Sequence, residues 1–203
     1  MDPVTPEREP ITYRLALGED WCRIRLNEHA EADVKAFLDV MFDAIPAEAA
    51  EQTRAVITAL FATQIAAARA KRGFELLVPT PKSGGAAMPG AAVLVAEVVI
   101  PAPAVPEPAE VVARVARDAS GARTGVIAGS AAVRIDHSAA VSESEADAEP
   151  ANRKRIEYVI AVPHDSRWLS IDLSVQAVDG FDMEQTITKF DQAVACLTWP
   201  ETE

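Results

Sequence analysis

The strongest constraint on the fold is a pair of alternating segments in the last third of the chain. Between positions 169 and 175 every second residue is a large aliphatic one, and Ser170, Asp172 and Ser174 lie between them. The segment 153–162 alternates in the same way, and a turn at Pro163 to Arg167 separates the two. A period of two places successive side chains on opposite faces of a sheet. These residues therefore predict a β-hairpin with one buried and one polar face.

A second alternating pair lies near the N-terminus. Residues 11–17 alternate apolar and polar side chains, Gly18 to Asp20 suit a turn, and Trp21 to Leu26 alternate again. By the same argument this pair predicts another hairpin.

Four segments show helical spacing of apolar residues: 34–45, 47–72, 107–119 and 183–197. In the second of them, which is rich in alanine, the predicted buried stripe contains Val56, Leu60, Phe61 and Ile65. Residues 74–78 and 91–100 predict single strands, and 124–137 predicts a strand region broken at Gly129.

Hairpins dominate this order and helices are interspersed without strict alternation. The predicted fold class is therefore α+β, a mainly antiparallel sheet flanked by helices as an α/β/α sandwich. Its 203 residues suit a single α/β domain spanning 1–203, with a flexible N-terminal segment 1–10 and an exposed acidic loop 138–152.

Charge and cysteine content exclude several classes of partner. The formal net charge of −12 argues against nucleic acid and against an anionic membrane surface. Two cysteines, Cys22 and Cys196, are too few for a zinc cluster or a disulfide framework. They are interpreted as buried thiols in a reducing compartment, and one disulfide between them is the alternative. The N-terminus lacks the apolar core of a signal peptide, so we expect a cytoplasmic protein.

No motif for a cofactor or a metal is present, and we expect neither. Lys82 to Gly85 has phosphate-loop residue types in the wrong order. The acids at alternate positions of 143–149 lack the glycine and the distal glutamate of a calcium loop. The tripeptides 136–138 and 164–166 contain Asp, His and Ser, which are also ordinary turn residues. Because adjacent side chains in one turn point apart, a catalytic triad is not predicted there.

A candidate interaction surface combines arginines and tryptophans on the polar faces of the two predicted hairpins. If the hairpins are neighbours in the sheet, their arginines form a basic patch for an acidic peptide or an anionic ligand; pairing with nearby acids is the alternative. The two tryptophans indicate either core positions covered by the long alanine-rich helix or contact with a partner. The surface consists of Trp21, Trp168, Arg14, Arg23, Arg25 and Arg155.

A further pattern in the last third consists of Arg155, Tyr158, Pro163, Trp168, Phe190-Asp191 and Trp199, and the opening Asp20-Trp21, the alanine-rich helix and Gly73 fit the same pattern. In these residues the chain resembles small actinobacterial proteins of unknown function that have a PsbP-like α/β/α layout. The resemblance implies a PsbP-like sandwich. Proteins with that layout act mostly as non-enzymatic binding or assembly factors, and none of their partner-binding residues maps onto this chain.

Three functional hypotheses follow. The leading one is a non-enzymatic factor for protein interaction, assembly or regulation, whose partner is another protein. The second is a small-molecule binder or an enzyme with a cleft between sheet and helices, where His164, Asp165 and Arg167 are the first residues to test. The third is a structural component of a larger particle that self-associates through an exposed sheet edge.

Overall fold

The structure is a computed structural model that describes residues 10–43, 46–80, 90–100, 107–137, 153–177 and 182–200, without the side chains of 47–49. The segment 1–9, the Lys82 to Gly85 motif and the acidic loop 138–152 lie outside the described residues. The predictions made for them stay predictions, as does the single-domain assignment.

The described residues form one antiparallel sheet of seven strands and four helices, which confirms the predicted fold class. The strands lie in the order β1-β2-β3-β7-β6-β5-β4. In chain order the elements are β1 (Trp21–Arg25), α1 (Ala30–Phe42), α2 (Ala47–Ala70), β2 (Gly73–Pro79), β3 (Ala91–Val98), α3 (Pro108–Asp118), β4 (Ala122–Ile127), β5 (Ser130–Asp136), β6 (Arg153–Ala161), β7 (Trp168–Gln176) and α4 (Met183–Ala195).

Helices cover both faces of the sheet, as the sandwich prediction requires. One face, which we call the α4 face, buries Leu169, Ile171 and Leu173 against Phe190 and Val194 of α4. The opposite face, the α2–α3 face, is covered in two places. Helices α1 and α2 pack over β1 and β2, and α3 packs over β5 and β6.

The hairpin predicted in the last third is confirmed. Strands β6 and β7 pair antiparallel from Arg153 opposite Gln176 to Ala161 opposite Trp168. Helix α4 is capped by Asp182, whose side chain accepts a hydrogen bond of 2.9 Å from the backbone N–H of Gln185. The predicted break between β4 and β5 falls at Gly129, which has a φ of +78°.

The hairpin predicted near the N-terminus is wrong. Strand β1 pairs with β2, and residues 11–17 form no strand beyond a single bridge between Arg14 and Thr198. Ile11, Tyr13 and Leu15 are nevertheless buried in the core of the α4 face. Alternation indicates which side chains are buried, but it does not indicate which backbone groups pair. Here an extended segment buries its alternate side chains along the α4 face without joining the sheet.

The buried stripe of α2 is also shifted from the prediction. Ile57, Phe61 and Ile65 are buried, whereas the exposed fractions of Val56 and Leu60 are 57% and 47%. The buried set follows i, i+4, i+8 spacing, so it forms one continuous stripe. Leu60 is thereby left on a side of α2 that no other described helix covers.

Candidate binding groove

A groove runs over the centre of the sheet, in the gap between α2 and α3. Helix α2 covers Leu76 and Val78 of β2, and α3 covers Val159 and Trp168 at the far end of β6 and β7. Neither helix covers the stretch between these two contacts. The polar face of β7 that the sequence predicted forms its floor.

The groove has a volume of about 480 Å³ and two chemically different sides. Its α2 side is apolar at Leu60 and Phe61, with Leu94 of β3 beneath them, and it also carries Gln64 and, at the end of the helix, Lys71. Its other side carries Arg155 and Asp172 from β6 and β7. A site with one apolar and one charged wall suits a ligand that combines the same two properties.

The charged wall is ordered by an ion pair between neighbouring strands. Arg155 Nε lies 2.9 Å from each carboxylate oxygen of Asp172, and its Nη2 lies 2.7 Å from Oδ2. Only 13% of the Asp172 side chain is exposed, against 35% for Arg155. The guanidinium is therefore held by its carboxylate on the sheet floor, with one side toward the groove.

A second carboxylate extends this network toward α3. Glu157 Oε1 accepts a hydrogen bond of 2.8 Å from the hydroxyl of Ser170, and its Oε2 lies 2.8 Å from Nε2 of His137. The Arg155 guanidinium lies 3.7 Å from the same Oε2. Serine, histidine and carboxylate thus meet, but the carboxylate occupies the centre of the three.

That order differs from the order of a hydrolase triad. A triad places the histidine between the serine and the acid, so that the ring nitrogen takes the hydroxyl proton. Here the Ser170 hydroxyl donates to Glu157 and His137 contacts the other oxygen. Ser170 is also only 4% exposed. The arrangement fixes side chains in place and provides no activated nucleophile at Ser170.

The groove carries excess positive charge at its rim. Lys71 at the end of α2 and Arg153 at the start of β6 both line it. Within the described part of the chain neither has a carboxylate partner, whereas Arg155 is matched by Asp172. On a chain with a formal net charge of −12, this is a local basic site that favours an anionic ligand.

Of the two tryptophans in the predicted interaction surface, Trp168 is a core residue. Its side chain is 6% exposed and packs with Val111 and Val112 beneath α3. The covering helix is thus α3 and not the longer α2. Trp21 is partly buried against the core of the α4 face.

The arginines of that predicted surface are not brought together. Strands β2, β3 and β7 separate β1 from β6, so Arg23 and Arg25 lie far across the sheet from Arg155. Arg23 pairs with Glu75 at 3.4 Å, and Arg25 pairs with Asp33 at 2.7 Å. The hydrogen bond from Arg25 lowers the pKa of Asp33 to about 2. Arg14 is exposed on the extended N-terminal segment.

The turn of His164, Asp165 and Arg167, which is the predicted first place to look for an enzyme or ligand site, is held together by hydrogen bonds between its own residues. Asp165 accepts from the backbone N–H of Arg167 at 2.9 Å and from its Nε at 2.7 Å. These bonds lower the pKa of Asp165. His164 has a φ of +58° and is exposed, so its ring does not converge with a buried acid. The turn is interpreted as a structural one.

Sequence reasoning identified Arg155 and the polar face of β7 but missed the α2 side of the groove. The sequence does indicate that Leu60 could stay exposed. Helix α2 has two adjacent apolar stripes, and packing against one surface buries only one of them. Lys71 was not part of the predicted interaction surface, although it lines the groove. Their proximity to β6 depends on strand order, which the sequence does not state.

Within the described ranges, no group of three or more His, Cys, Asp or Glu side chains is placed to hold a metal ion. The same ranges contain no helix that is both long and apolar enough to cross a membrane.

No protein-family model matches this chain, and no curated protein matches it. Among solved structures the chain is similar to LpqN, described as involved in cell envelope biogenesis of Mycobacterium tuberculosis. The two share 10% sequence identity with a TM-score of 0.43, over 96% of this chain and 88% of LpqN.

Proposed function

We propose that this protein is a non-enzymatic binding factor that holds an acidic, partly apolar segment of another protein in the central groove. The observation that carries the proposal is the pairing of an exposed apolar wall with a basic rim. Leu60 keeps 47% of its surface exposed on that wall, and Lys71 and Arg153 line the same groove. A segment with apolar side chains toward α2 and carboxylates toward β6 satisfies both.

The internal pairing of the floor supports binding over catalysis. Arg155 and Glu157 are already hydrogen-bonded to Asp172, Ser170 and His137. Side chains held in this way lose little conformational freedom when a ligand arrives, so they form a preorganised surface. General-base chemistry at Ser170 would also need its hydroxyl to reach a substrate, and Ser170 is only 4% exposed.

The test is capture of partners from the native lysate by the tagged protein and its variants, quantified by mass spectrometry. We expect a protein captured by the wild type to be lost with Leu60→Ser and with Arg153→Glu. Val56→Ser is the matched control on α2, because Val56 is exposed but lies outside the groove. Lys189→Glu makes the same kind of charge change on α4, on the opposite face.

A partner that survives both groove variants at wild-type level argues against this groove as its docking site. A partner lost equally with all four variants indicates a general loss of folding, which circular dichroism of each variant identifies. The captured segment is then synthesised and titrated against the purified protein, so that affinity is measured directly.

A small anionic molecule is the second candidate occupant. Its support is the groove volume of about 480 Å³, which falls within the range of small-molecule pockets, roughly 300 to 1,000 Å³. A thermal-shift screen of carboxylic acids and phosphate esters tests it, because a ligand of the native state raises the melting temperature. An Arg153→Glu variant should lose any such shift.

The PsbP-like layout and a cytoplasmic location are part of the same proposal. The free state of Cys22 and Cys196 supports a reducing compartment. Cell fractionation with an antibody to the protein tests the location.

A further inference from the structure

The two edges of the sheet are protected differently. At β1, the backbone N–H of Arg25 donates to the carboxylate of Asp33 on α1 at 3.0 Å. At β4, Arg123 to Val126 are all exposed, and in the described part of the chain no side chain hydrogen-bonds to them. An open edge of this kind presents unpaired N–H and C=O groups to an incoming strand.

The α4 face of this open edge has a cavity beside it. Gly125 lies in the middle of β4, and a Cβ added there would meet nothing within 4 Å. Glycine inside a strand weakens it and often marks a site where another backbone or ligand approaches closely. The cavity, of about 230 Å³, is lined by Arg123, Gly125, Ile127, Arg134, Tyr158 and Ala195.

Two arginines face each other next to this cavity. Arg123 of β4 is directly opposite Arg134 of β5, and like charges in that position destabilise a sheet. Arg134 is compensated, because its Nε and Nη2 each lie 3.1 Å from a carboxylate oxygen of Asp191. Tyr158 donates a third hydrogen bond to Asp191 at 3.0 Å. Among the described residues no carboxylate compensates Arg123.

We propose that the β4 edge accepts an antiparallel strand from a partner protein. A carboxylate of that strand lies opposite Arg123 and supplies the missing counter-charge. Two residues earlier in the strand, a large apolar side chain lies opposite Gly125 and fills the cavity. Backbone hydrogen bonds supply affinity in this mode of recognition, and pockets for alternate side chains supply specificity. This surface is separate from the central groove and does not depend on it.

The orientation follows from the rest of the sheet, in which every pairing is antiparallel. An antiparallel strand meets Gly125 before Arg123, so the motif is apolar-x-acidic. The residue before the apolar one lies next to Val126, which is 73% exposed, and a β-branched residue fits there. The probe is therefore the fluorescein-labelled peptide Ser-Thr-Val-Phe-Thr-Glu-Val-Ser.

Fluorescence anisotropy should show saturable binding of this peptide to the wild type. Replacing Glu by Gln in the peptide, or Arg123→Glu in the protein, should weaken binding by about tenfold or more. A peptide with Lys in place of Glu should bind Arg123→Glu better than it binds the wild type. Arg114→Glu on α3 makes the same charge change away from the edge and should leave binding unchanged.

The cavity is tested by Gly125→Leu, which has room for its side chain and should fold. It should weaken the Phe peptide by about tenfold, whereas Thr63→Leu, at an exposed position of α2 outside the cavity lining, should not. Equal affinity for the Glu and Gln peptides, or equal affinity of Gly125→Leu and the wild type, overturns the proposal. A wild-type dimer in light scattering that Arg123→Glu dissociates assigns the edge to a second copy instead. Loss of binding in Leu60→Ser or Arg153→Glu also overturns it, because those changes lie in the groove.

Discussion

Arg155 on β6 donates hydrogen bonds to both carboxylate oxygens of Asp172 on the neighbouring strand β7, at distances of 2.7 to 2.9 Å. This pair lies at the floor of the central groove, where 13% of the Asp172 side chain is exposed. The sequence predicts Arg155 as part of an interaction surface and places Asp172 on the polar face of its strand, and the structure brings the two into contact.

Asp172→Asn should reduce the free energy of unfolding by about 1 to 2 kcal/mol, because a partly buried charge-assisted hydrogen bond to Arg155 is lost. Urea denaturation measures the change. Asp39→Asn, in an exposed pair with Lys35 and Arg54, is the control and should change stability by less than about 0.5 kcal/mol. Equal effects of the two substitutions contradict a special role for the pair in the groove.

Phe190→Ala should destabilise the fold by about 3 to 5 kcal/mol, because it empties a core position and loses the edge-to-face contact with Tyr158. Phe190 is 1% exposed, and its ring centroid lies 5.8 Å from that of Tyr158. Chemical denaturation of the variant checks this. Val40→Ala on α1, where the side chain is 57% exposed, should stay within about 0.5 kcal/mol of the wild type.

Stability should fall as pH is lowered from about 4 toward 2, in part because of Asp33. Its pKa is about 2 in the folded chain, owing first to the hydrogen bond from the Arg25 side chain, and near 4 in the unfolded chain. Within this window the unfolded state binds more protons, so protonation favours unfolding. Asp33→Asn should flatten the dependence of the urea midpoint on pH, whereas Thr58→Ala on α2, which changes no titratable group, should retain the wild-type slope.

Neither tyrosine should ionise near pH 10 in the folded protein. Burial raises the pKa of Tyr158 to about 12, and burial together with Glu75 raises that of Tyr13 further. The chain contains two tyrosines, so absorbance at 295 nm should stay flat until about pH 11 and rise near pH 10 only in denaturant. Because the folded pKa values are raised, their contribution to stability is complete below pH 10 and is lost as pH rises above it. A native transition near pH 10 would contradict the burial of these two rings.

The two thiols should be free and should react at different rates with Ellman's reagent. Cys196 is exposed and Cys22 is partly buried, and burial raises the pKa of the Cys22 thiol. Because the thiolate is the reactive form, Cys196 should react first. Cys196→Ser should remove the fast phase and Cys22→Ser the slow one. Recovery of no free thiol from the native protein would indicate a disulfide and contradict this expectation.

Local patterns predicted the elements that local physics forms. The hairpin of β6 and β7 follows from period-two alternation on both sides of a proline turn, and α4 follows from its capping residue Asp182 and its apolar stripe. The break at Gly129 needed only the conformational freedom of glycine. In each case the interacting residues lie close together in the chain.

The prediction of the first hairpin was wrong because the strand that pairs with β1 lies far away in the sequence. Residues 11–17 alternate because they bury Ile11, Tyr13 and Leu15, but within the described ranges their one bridge joins Arg14 to Thr198. Strand β1 pairs instead with β2, about 50 residues later in sequence, from Trp21 opposite Pro79 onward. Two alternating segments joined by a turn are compatible with a hairpin and with pairing to other strands, and alternation alone does not choose between them.

By itself the sequence determined the fold class, the polar face of β7 and the identity of Arg155 as a residue of interest. These follow from side-chain periodicity, which records what each segment buries. Tertiary structure alone decided that Trp168 lies under α3, that Arg23 and Arg25 lie far from Arg155, and that Leu60 and Arg153 line one groove. Strand order and the placement of helices over the sheet arise from contacts between distant segments, and no local pattern encodes them.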